Sequence, residues 1–157
     1  MPHPNTNTHR PAQQGYSQRP QVQEINTTDI RLGCEISDRL YADIAEAKAR
    51  FLADNSRDTN KSTQLRRFYD ELDLWNKKVN GASDAETRQA RYKEFAPLIK
   101  MLNAKVAYAR GRRHVDENFE KLLRHVISQV KDPATLAQAK LFMEAFMGFY
   151  KAVRPRD

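Results

Sequence analysis

The chain of 157 residues is poor in several features that mark particular protein classes. Cys34 is its single cysteine, so neither an intramolecular disulfide nor a cysteine-rich metal site is expected. No apolar run approaches the roughly 18 to 20 residues of a membrane-spanning helix. The most apolar window, residues 141–150, includes Glu144. The N-terminus lacks the apolar segment of a secretory signal. Together these absences predict a protein of the reducing cytoplasm.

Glycine is also scarce, with five residues in all, and no segment shows sustained strand alternation. From Ser37 onward, apolar residues recur instead at helical spacing. The sequence therefore predicts an all-α fold, a compact bundle of five to six helices that forms a single domain over residues 37–153. Residues 1–28 hold four prolines among polar residues and almost no large apolar side chain. This composition predicts a disordered N-terminal tail.

Helix signals place the expected elements at about 37–53, 62–80, 84–95, 97–110, 115–130 and 133–153. Asn80-Gly81 is expected to end the second helix in a left-handed conformation, and residues 83–86 form a capping-box pattern. Pro97 fits the first position of the fourth helix, and Asp132-Pro133 is a cap followed by an N1 proline. The inward positions follow from the spacing: Leu40, Ile44, Ala47 and Phe51; Leu65, Phe68, Leu72, Trp75 and Val79; Phe119, Leu122, Leu123, Val126 and Ile127.

The positive charge of the chain is concentrated in one third of its length. Residues 61–113 hold 13 Lys and Arg against 6 Asp and Glu, whereas the rest of the chain holds 14 against 14. A solvated basic surface would account for solubility alone. A polyanion partner would account for the concentration, because each phosphate that a cation neutralises releases counterions.

The fourth helix carries the most informative face. Leu98, Leu102, Val106 and Ala109 fall within one arc and are expected to face the core. A separate stripe, which we call the basic-aromatic row, consists of Met101, Lys105, Tyr108 and Arg112, and beside it lie the small residues Ala104, Ala107 and Gly111.

Three arginines, Arg110, Arg112 and Arg113, crowd the end of this helix. Arginines here complement the helix macrodipole, and Tyr108 could simply pack on a neighbouring helix. The alternative is that the guanidinium groups bind phosphates and Tyr108 stacks on a base or ribose. We favour the second interpretation because three adjacent cations exceed what the macrodipole needs.

Further cations complete the candidate RNA-binding set. Arg66 and Arg67 each have an acidic residue four positions later, which favours intrahelical ion pairs as the simpler account. Lys77 and Lys78 lie in the last turn of the second helix, where cations are favoured in any case. Lys100, in the fourth expected helix, is included as well.

Three segments carry a resemblance to a known family: TQLRRFYDE at 63–71, PLIKMLNAKVAYARGR at 97–112 and FMEAFMGFYK at 142–151. They resemble the small subunit of the Csm complex, the type III-A CRISPR RNA-guided effector. The resemblance covers roughly residues 62–152, and the middle segment is the most specific. In this comparison Lys105, Tyr108, Arg110 and Arg112 match the family's basic motif, and Arg66 and Arg67 match its earlier basic pair.

The resemblance implies a helical-bundle protein that is present in several copies and binds the backbone of the crRNA–target RNA duplex without reading its sequence. It implies antiviral defence, no nuclease activity and no cofactor. The implied partners are the backbone ribonuclease subunit, the large polymerase-type subunit, both RNAs and other copies of the chain.

Other functions remain as alternatives. The main one is a helical adaptor or homodimerisation module whose basic face binds an acidic protein. Arg110 and His114 resemble an RNase motif of helical HEPN-type proteins only faintly, because the spacing is one residue short. His114, Asp116 and Glu117 could be imagined as metal ligands, but a helix cap is the simpler role. The apolar face of the last helix fits either a central core helix or a subunit contact.

Overall fold

A computed structural model describes residues 21–33, 35–154 and 156–157. Within these ranges it contains six α-helices and no strand. They are α1 (Ala45–Asn55), α2 (Ser62–Asn80), α3 (Ala85–Lys100), α4 (Leu102–Gly111), α5 (Glu117–Ser128) and α6 (Pro133–Val153), and a π-helical turn, Leu40–Ile44, precedes α1. The prediction of an all-α bundle is confirmed.

Helix α6 is the central element of the bundle and packs against α1, α2, α3 and the π-helical turn. Its residues Phe142, Met143, Phe146 and Tyr150 are buried. An aromatic cluster joins it to the other helices, because Phe119 of α5 lies 5.6 Å from Phe68 of α2 and 6.4 Å from Phe146 between ring centroids. The interpretation of the last helix as a core helix is therefore confirmed.

Helix α5 agrees closely with its predicted pattern. Its five expected inward residues, from Phe119 to Ile127, are all buried. Asp116 caps its start by accepting a hydrogen bond from the Phe119 N–H, so the cap role expected there is confirmed. Asp132 caps α6 through Thr135, with Pro133 in the first turn as predicted.

The inward face of α1 differs from the prediction. Leu40 is buried, but the next buried residues are Ala45, Lys48, Ala49 and Leu52, whereas Ala47 is exposed. The π-helical turn adds one residue to the first turn and so rotates every later residue relative to an α-helical spacing. The expectation for Ala47 was wrong for this reason.

The boundary between α3 and α4 was also predicted wrongly. Helix α3 does not end near Phe95 but continues through Pro97 to Lys100, and α4 begins at Leu102. The Met101 N–H donates to the Pro97 carbonyl, while the Met101 carbonyl accepts from Ala104 and Lys105, so the two helices are nearly continuous. Pro97 is exposed, so the carbonyl that it leaves without a helical donor can be solvated.

Because α3 continues almost to the start of α4, the residue that faces the core just before α4 is Ile99 and not Leu98. Ile99 is buried, whereas Leu98 is 38% exposed. Leu98 was therefore assigned to the wrong face, but Leu102, Val106 and Ala109 are buried as expected.

The signals at the end of α2 and at the start of α3 act differently from the prediction. Gly81 adopts a right-handed conformation with φ −71°, so no left-handed stop ends α2. The cap of α3 is Asp84, whose carboxylate accepts from the Thr87 N–H at 2.7 Å, rather than a box between Ser83 and Glu86. Asp84 can cap the helix in the same way as Ser83, the residue before it, because both side chains carry an oxygen that accepts from a backbone N–H.

The segment 21–33, which we call the N-terminal strap, corrects the predicted tail. Residues 1–20 lie outside the described residues, but Ile25, Thr27 and Ile30 are buried, and the two isoleucines are each 1% exposed. Asn118 of α5 binds the strap by accepting from the Ile25 N–H and donating to the Gln23 carbonyl. The buried Lys48 pairs with Asp29 at 2.8 Å. The prediction of disorder was thus wrong for residues 21–28, because two isoleucines and tertiary hydrogen bonds attach the strap to the bundle.

Candidate nucleic-acid interface

The basic-aromatic row lies on the outer surface of α4 and the turn before it, as its angular spacing predicts. Met101, Lys105, Tyr108 and Arg112 are all exposed, and Tyr108 is exposed to 67%. The core contacts of α4 are made by the opposite face, through Leu102, Val106 and Ala109. The row therefore does not contribute to the hydrophobic core in the described part of the chain.

A groove of about 440 Å³ separates this row from α2. We call it the α2–α4 groove, and its walls and floor are formed by Gln64, Arg67, Phe68, Glu71, Lys105, Tyr108, Ala109, Arg112 and His114. The floor is apolar, since Phe68 and Ala109 are each only 8% exposed. The walls are cationic and polar. An apolar floor with a few convergent polar groups is the usual composition of a ligand-binding cleft.

The cations of the groove differ in whether they are neutralised. Lys105 Nζ lies 2.6 Å from Glu71 Oε1, so Glu71 pairs across the groove and not with Arg67. The expected i, i+4 pair of Arg67 is thus absent. Among the described residues, no carboxylate lies within ion-pairing distance of Arg67 or of Arg112. The guanidinium groups of Arg67 and Arg112 therefore line the groove without a carboxylate partner in the described part of the chain.

Arg112 also orients the aromatic member of the row. Its guanidinium carbon lies 5.8 Å from the centroid of the Tyr108 ring, and its Nη1 donates to the Tyr108 hydroxyl at 3.2 Å. A guanidinium near a tyrosine ring is attracted by the ring quadrupole. Tyr108 is thus held in one orientation although it is not packed in the core.

The end of α4 has an unusual backbone at Arg113, whose φ is +58°. The His114 N–H donates to the Ala109 carbonyl at 3.0 Å, and the Arg113 N–H donates to the Arg110 carbonyl at 2.9 Å. This is the hydrogen-bond pattern of a Schellman motif, in which glycine is the preferred left-handed residue. Here an arginine occupies that position.

A buried asparagine fixes the loop after this motif. Asn60 is fully buried, has a φ of +58°, and its N–H donates to the His114 carbonyl at 3.0 Å. Its Oδ1 accepts from the Asp116 N–H at 2.9 Å, and its carbonyl accepts from the Tyr150 hydroxyl. Asn60, which lies just before α2, is thus hydrogen-bonded both to the loop between α4 and α5 and to α6.

Arg110 is not part of this groove, although the sequence placed it in the same cluster. Its guanidinium pairs with Glu120 of α5 and lies 3.4 Å from Glu117. Glu120 also pairs with Arg124 at 3.2 Å. Arg110 therefore lies against α5 with its charge already neutralised.

Lys100 has a structural partner as well. Its Nζ donates to the carbonyls of Ile127 and Val130, each at 2.6 Å, where α5 ends. Partial burial lowers the pKa of the Lys100 ammonium. Binding the last carbonyls of a helix is a common role of lysine, and this placement counts against Lys100 as an RNA contact.

The remaining candidates lie away from the groove. Arg66 lies 3.6 Å from Asp70 and lines a second groove between α2 and α6. Lys77 pairs with Asp73 at 2.6 Å, and this hydrogen bond raises the pKa of Lys77. Lys78 lies over the rings of Trp75 and Phe95, at 5.7 and 5.8 Å from their centroids. Each of these cations thus already has an anionic or aromatic neighbour.

The groove contains three residues that the sequence analysis did not include in the RNA-binding set. Gln64, Phe68 and His114 line it together with Arg67. Gln64, Arg67 and Glu71 share one face of α2 by their spacing, which was a detectable signal. Which helix opposes that face depends on tertiary packing and could not be inferred from the spacing.

Two general features of the described residues bear on the class of protein. They contain no group of three or more His, Cys, Asp or Glu side chains arranged to hold a metal ion. None of the described helices is both long and apolar enough to cross a bilayer.

The described residues form a small helical bundle with an open cationic groove, and Tyr108 on this groove is exposed. These features are typical of a subunit that binds other molecules. Comparison with protein families matches residues 37–156 to Csm2 Type III-A. The chain belongs to this family, the small subunit of the type III-A CRISPR complex. The match extends the resemblance seen at 62–152 in both directions and begins at the predicted start of the helical domain. Searches of curated proteins and of solved structures give no significant match.

Proposed function

We propose that the α2–α4 groove binds the sugar–phosphate backbone of RNA and that the chain is a non-catalytic subunit of its CRISPR complex. The observation that carries this proposal is the pair Arg67 and Arg112, which face one groove without a carboxylate partner among the described residues. Guanidinium groups bind phosphate in a bidentate geometry, and phosphate contacts do not read sequence.

In this proposal the crRNA–target RNA duplex supplies the phosphates, and base pairing alone supplies specificity. The backbone ribonuclease subunit, the large polymerase-type subunit and other copies of the chain are the protein neighbours, and the complex acts in the cytoplasm in antiviral defence. The protein contributes charge and shape, because the deep major groove of an A-form duplex cannot be read by side chains.

The interface is smaller than the sequence-based set. In this proposal it consists of Arg67, Lys105, Tyr108 and Arg112, together with Arg113, which is exposed and lies between the lining residues Arg112 and His114 in the chain. Our proposal leaves out Arg110 and Lys100, because Arg110 pairs with Glu120 and Lys100 donates to the carbonyls of Ile127 and Val130.

A salt titration of RNA binding tests this proposal. The double variant Arg67→Ala/Arg112→Ala is expected to bind duplex RNA at least tenfold more weakly at low salt. The slope of log affinity against log salt should fall by about 1.8, because two phosphate contacts are lost. The matched control is Arg39→Ala/Arg50→Ala, which removes the same charge from exposed intrahelical pairs before and within α1.

Equal losses in both double variants would mean that net charge, and not this groove, controls affinity. An unchanged affinity and slope in Arg67→Ala/Arg112→Ala would reject the RNA proposal. Binding of polyglutamate in place of RNA would favour the adaptor alternative, in which an acidic protein occupies the basic face.

A further inference from the structure

The position of Tyr108 is more specific than a phosphate cradle requires. Its ring is 67% exposed on the wall of the α2–α4 groove, and Arg112 holds it through the hydroxyl hydrogen bond of 3.2 Å. Phosphates need cations and N–H donors, but they gain nothing from an aromatic face. An oriented and exposed ring is what a flat π-system needs for stacking.

The floor of the groove points to the same type of ligand. Phe68 and Ala109 present apolar surface to the groove, each with 8% exposure. Arg67 and Arg112, which have no carboxylate partner among the described residues, line the same groove as this surface. A ligand that fills the groove therefore has an apolar, flat part for the floor and an anionic part for the walls. A nucleotide unit has both parts.

Polar groups at the rim complete the environment. Gln64 and His114 are half-buried and line the groove next to the floor. Their side chains can donate or accept hydrogen bonds at the edge of a base. Glu71 and Lys105 also line the groove and form an ion pair of 2.6 Å.

We propose that the groove holds one unpaired nucleotide of the bound RNA, with its base against Tyr108 and its phosphates on Arg67 and Arg112. This inference rests on the proposed function, that the groove binds RNA. Both faces of a paired base are covered by its neighbours in the helix, so a base can reach Tyr108 only when it is unstacked. Stacking tolerates every base, so the subsite is not sequence-specific.

The test compares two RNA duplexes of equal length and charge. One carries a single bulged nucleotide, and the other carries an abasic nucleotide at the same place. The full chain is expected to bind the base-bearing RNA about tenfold more tightly, within the range measured for base–aromatic stacking. Tyr108→Leu should bind both RNAs equally, at the affinity of the abasic RNA, whereas Tyr108→Trp should keep the preference.

Tyr69→Leu is the matched control, because Tyr69 lines the separate groove between α2 and α6 and its replacement should leave the preference unchanged. Thermal melting by circular dichroism checks that each variant is folded. Equal binding of both RNAs by the unaltered chain would overturn this inference and leave the proposed function intact. A preference that survives in Tyr108→Leu would overturn the assignment to Tyr108. Failure to bind either RNA would overturn the proposed function and the inference with it.

Discussion

The Lys105 ammonium lies 2.6 Å from the Glu71 carboxylate and joins α4 to α2 across the groove. The charges of the groove are therefore not all available to a ligand. Arg67 and Arg112 are free of carboxylate partners among the described residues, whereas Lys105 must leave or share Glu71 before it binds a phosphate. Glu71 also repels any phosphate that enters the groove, so it limits affinity in two ways.

Replacing this carboxylate should strengthen RNA binding. We expect Glu71→Gln to raise affinity for duplex RNA by roughly fivefold at low salt, about 1 kcal/mol, which is the upper range for an exposed ion pair. The salt slope should steepen by about 0.9, because Lys105 becomes free to neutralise one more phosphate. Fluorescence anisotropy at several salt concentrations measures both quantities.

Glu117→Gln is the charge-matched control. Glu117, the first residue of α5, is exposed, lies near Arg110 and does not line the groove. This variant changes the net charge by the same amount and should leave affinity within about twofold. Similar gains in both variants would show that Glu71 acts only through net charge, and a weaker Glu71→Gln would show that the carboxylate helps to bind RNA.

A second prediction concerns Asn60, which links the segment before α2 to the loop between α4 and α5 and to α6. Asn60→Ala removes the hydrogen bonds of a buried side chain to the Asp116 N–H and to Ser56, and places alanine at a φ of +58°. The free energy of unfolding should fall by about 3 kcal/mol. This corresponds to a decrease of roughly 6–12 °C in Tm for a chain of this size, measured by calorimetry.

Two further variants separate the causes of this loss. Asn60→Gly keeps the left-handed backbone free of strain and should lose about 1 kcal/mol less than Asn60→Ala. Asn55→Ala, an exposed position with one bond to the Phe51 carbonyl, should change stability by less than about 0.5 kcal/mol. An Asn60→Ala protein as stable as the unaltered chain would contradict the role of Asn60.

The parts of the fold that could be predicted are those in which one face of a regular helix meets the core. The inward residues of α5, from Phe119 to Ile127, needed only the period of the helix. The face of α1 could not be read in that way, because the π-helical turn at Leu40–Ile44 rotates all later residues of that helix. The burial of Ile25 in the N-terminal strap depends on a contact with Asn118 of α5, a distant segment that local signals do not contain. Pro97 lies at an exposed position inside α3, whereas a proline ordinarily indicates the first turn of a helix.

The same distinction holds for the candidate site. The exposure of Lys105, Tyr108 and Arg112 could be derived from the period of α4. Which cations remain free could not, because it depends on acids from other helices. Glu71 pairs across the groove with Lys105, and Glu120 of α5 pairs with Arg110. Charge density along the chain therefore predicted the region of the groove, but it could not distinguish cations that have an anionic partner from those that have none.

A third prediction concerns Arg113, which occupies the left-handed position of the Schellman motif after α4. A non-glycine residue there costs about 1 kcal/mol, since its Cβ crowds the backbone. Arg113→Gly should therefore raise the free energy of unfolding by about 1 kcal/mol and Tm by roughly 2–4 °C. It should also weaken RNA binding and lower the salt slope by about 0.9, because an exposed cation at the end of the groove is lost.

Arg113→Ala distinguishes the two effects, because it removes the same charge but keeps a Cβ at a φ of +58°. Its RNA affinity should fall as much as that of Arg113→Gly, and its Tm should stay at the value of the unaltered chain. If Arg113→Gly melted at a lower temperature, the left-handed backbone would carry no strain. If both variants bound RNA like the unaltered chain, Arg113 would lie outside the interface. A higher Tm in Arg113→Gly, together with weaker RNA binding in both variants, would show that Arg113 lowers stability but strengthens binding.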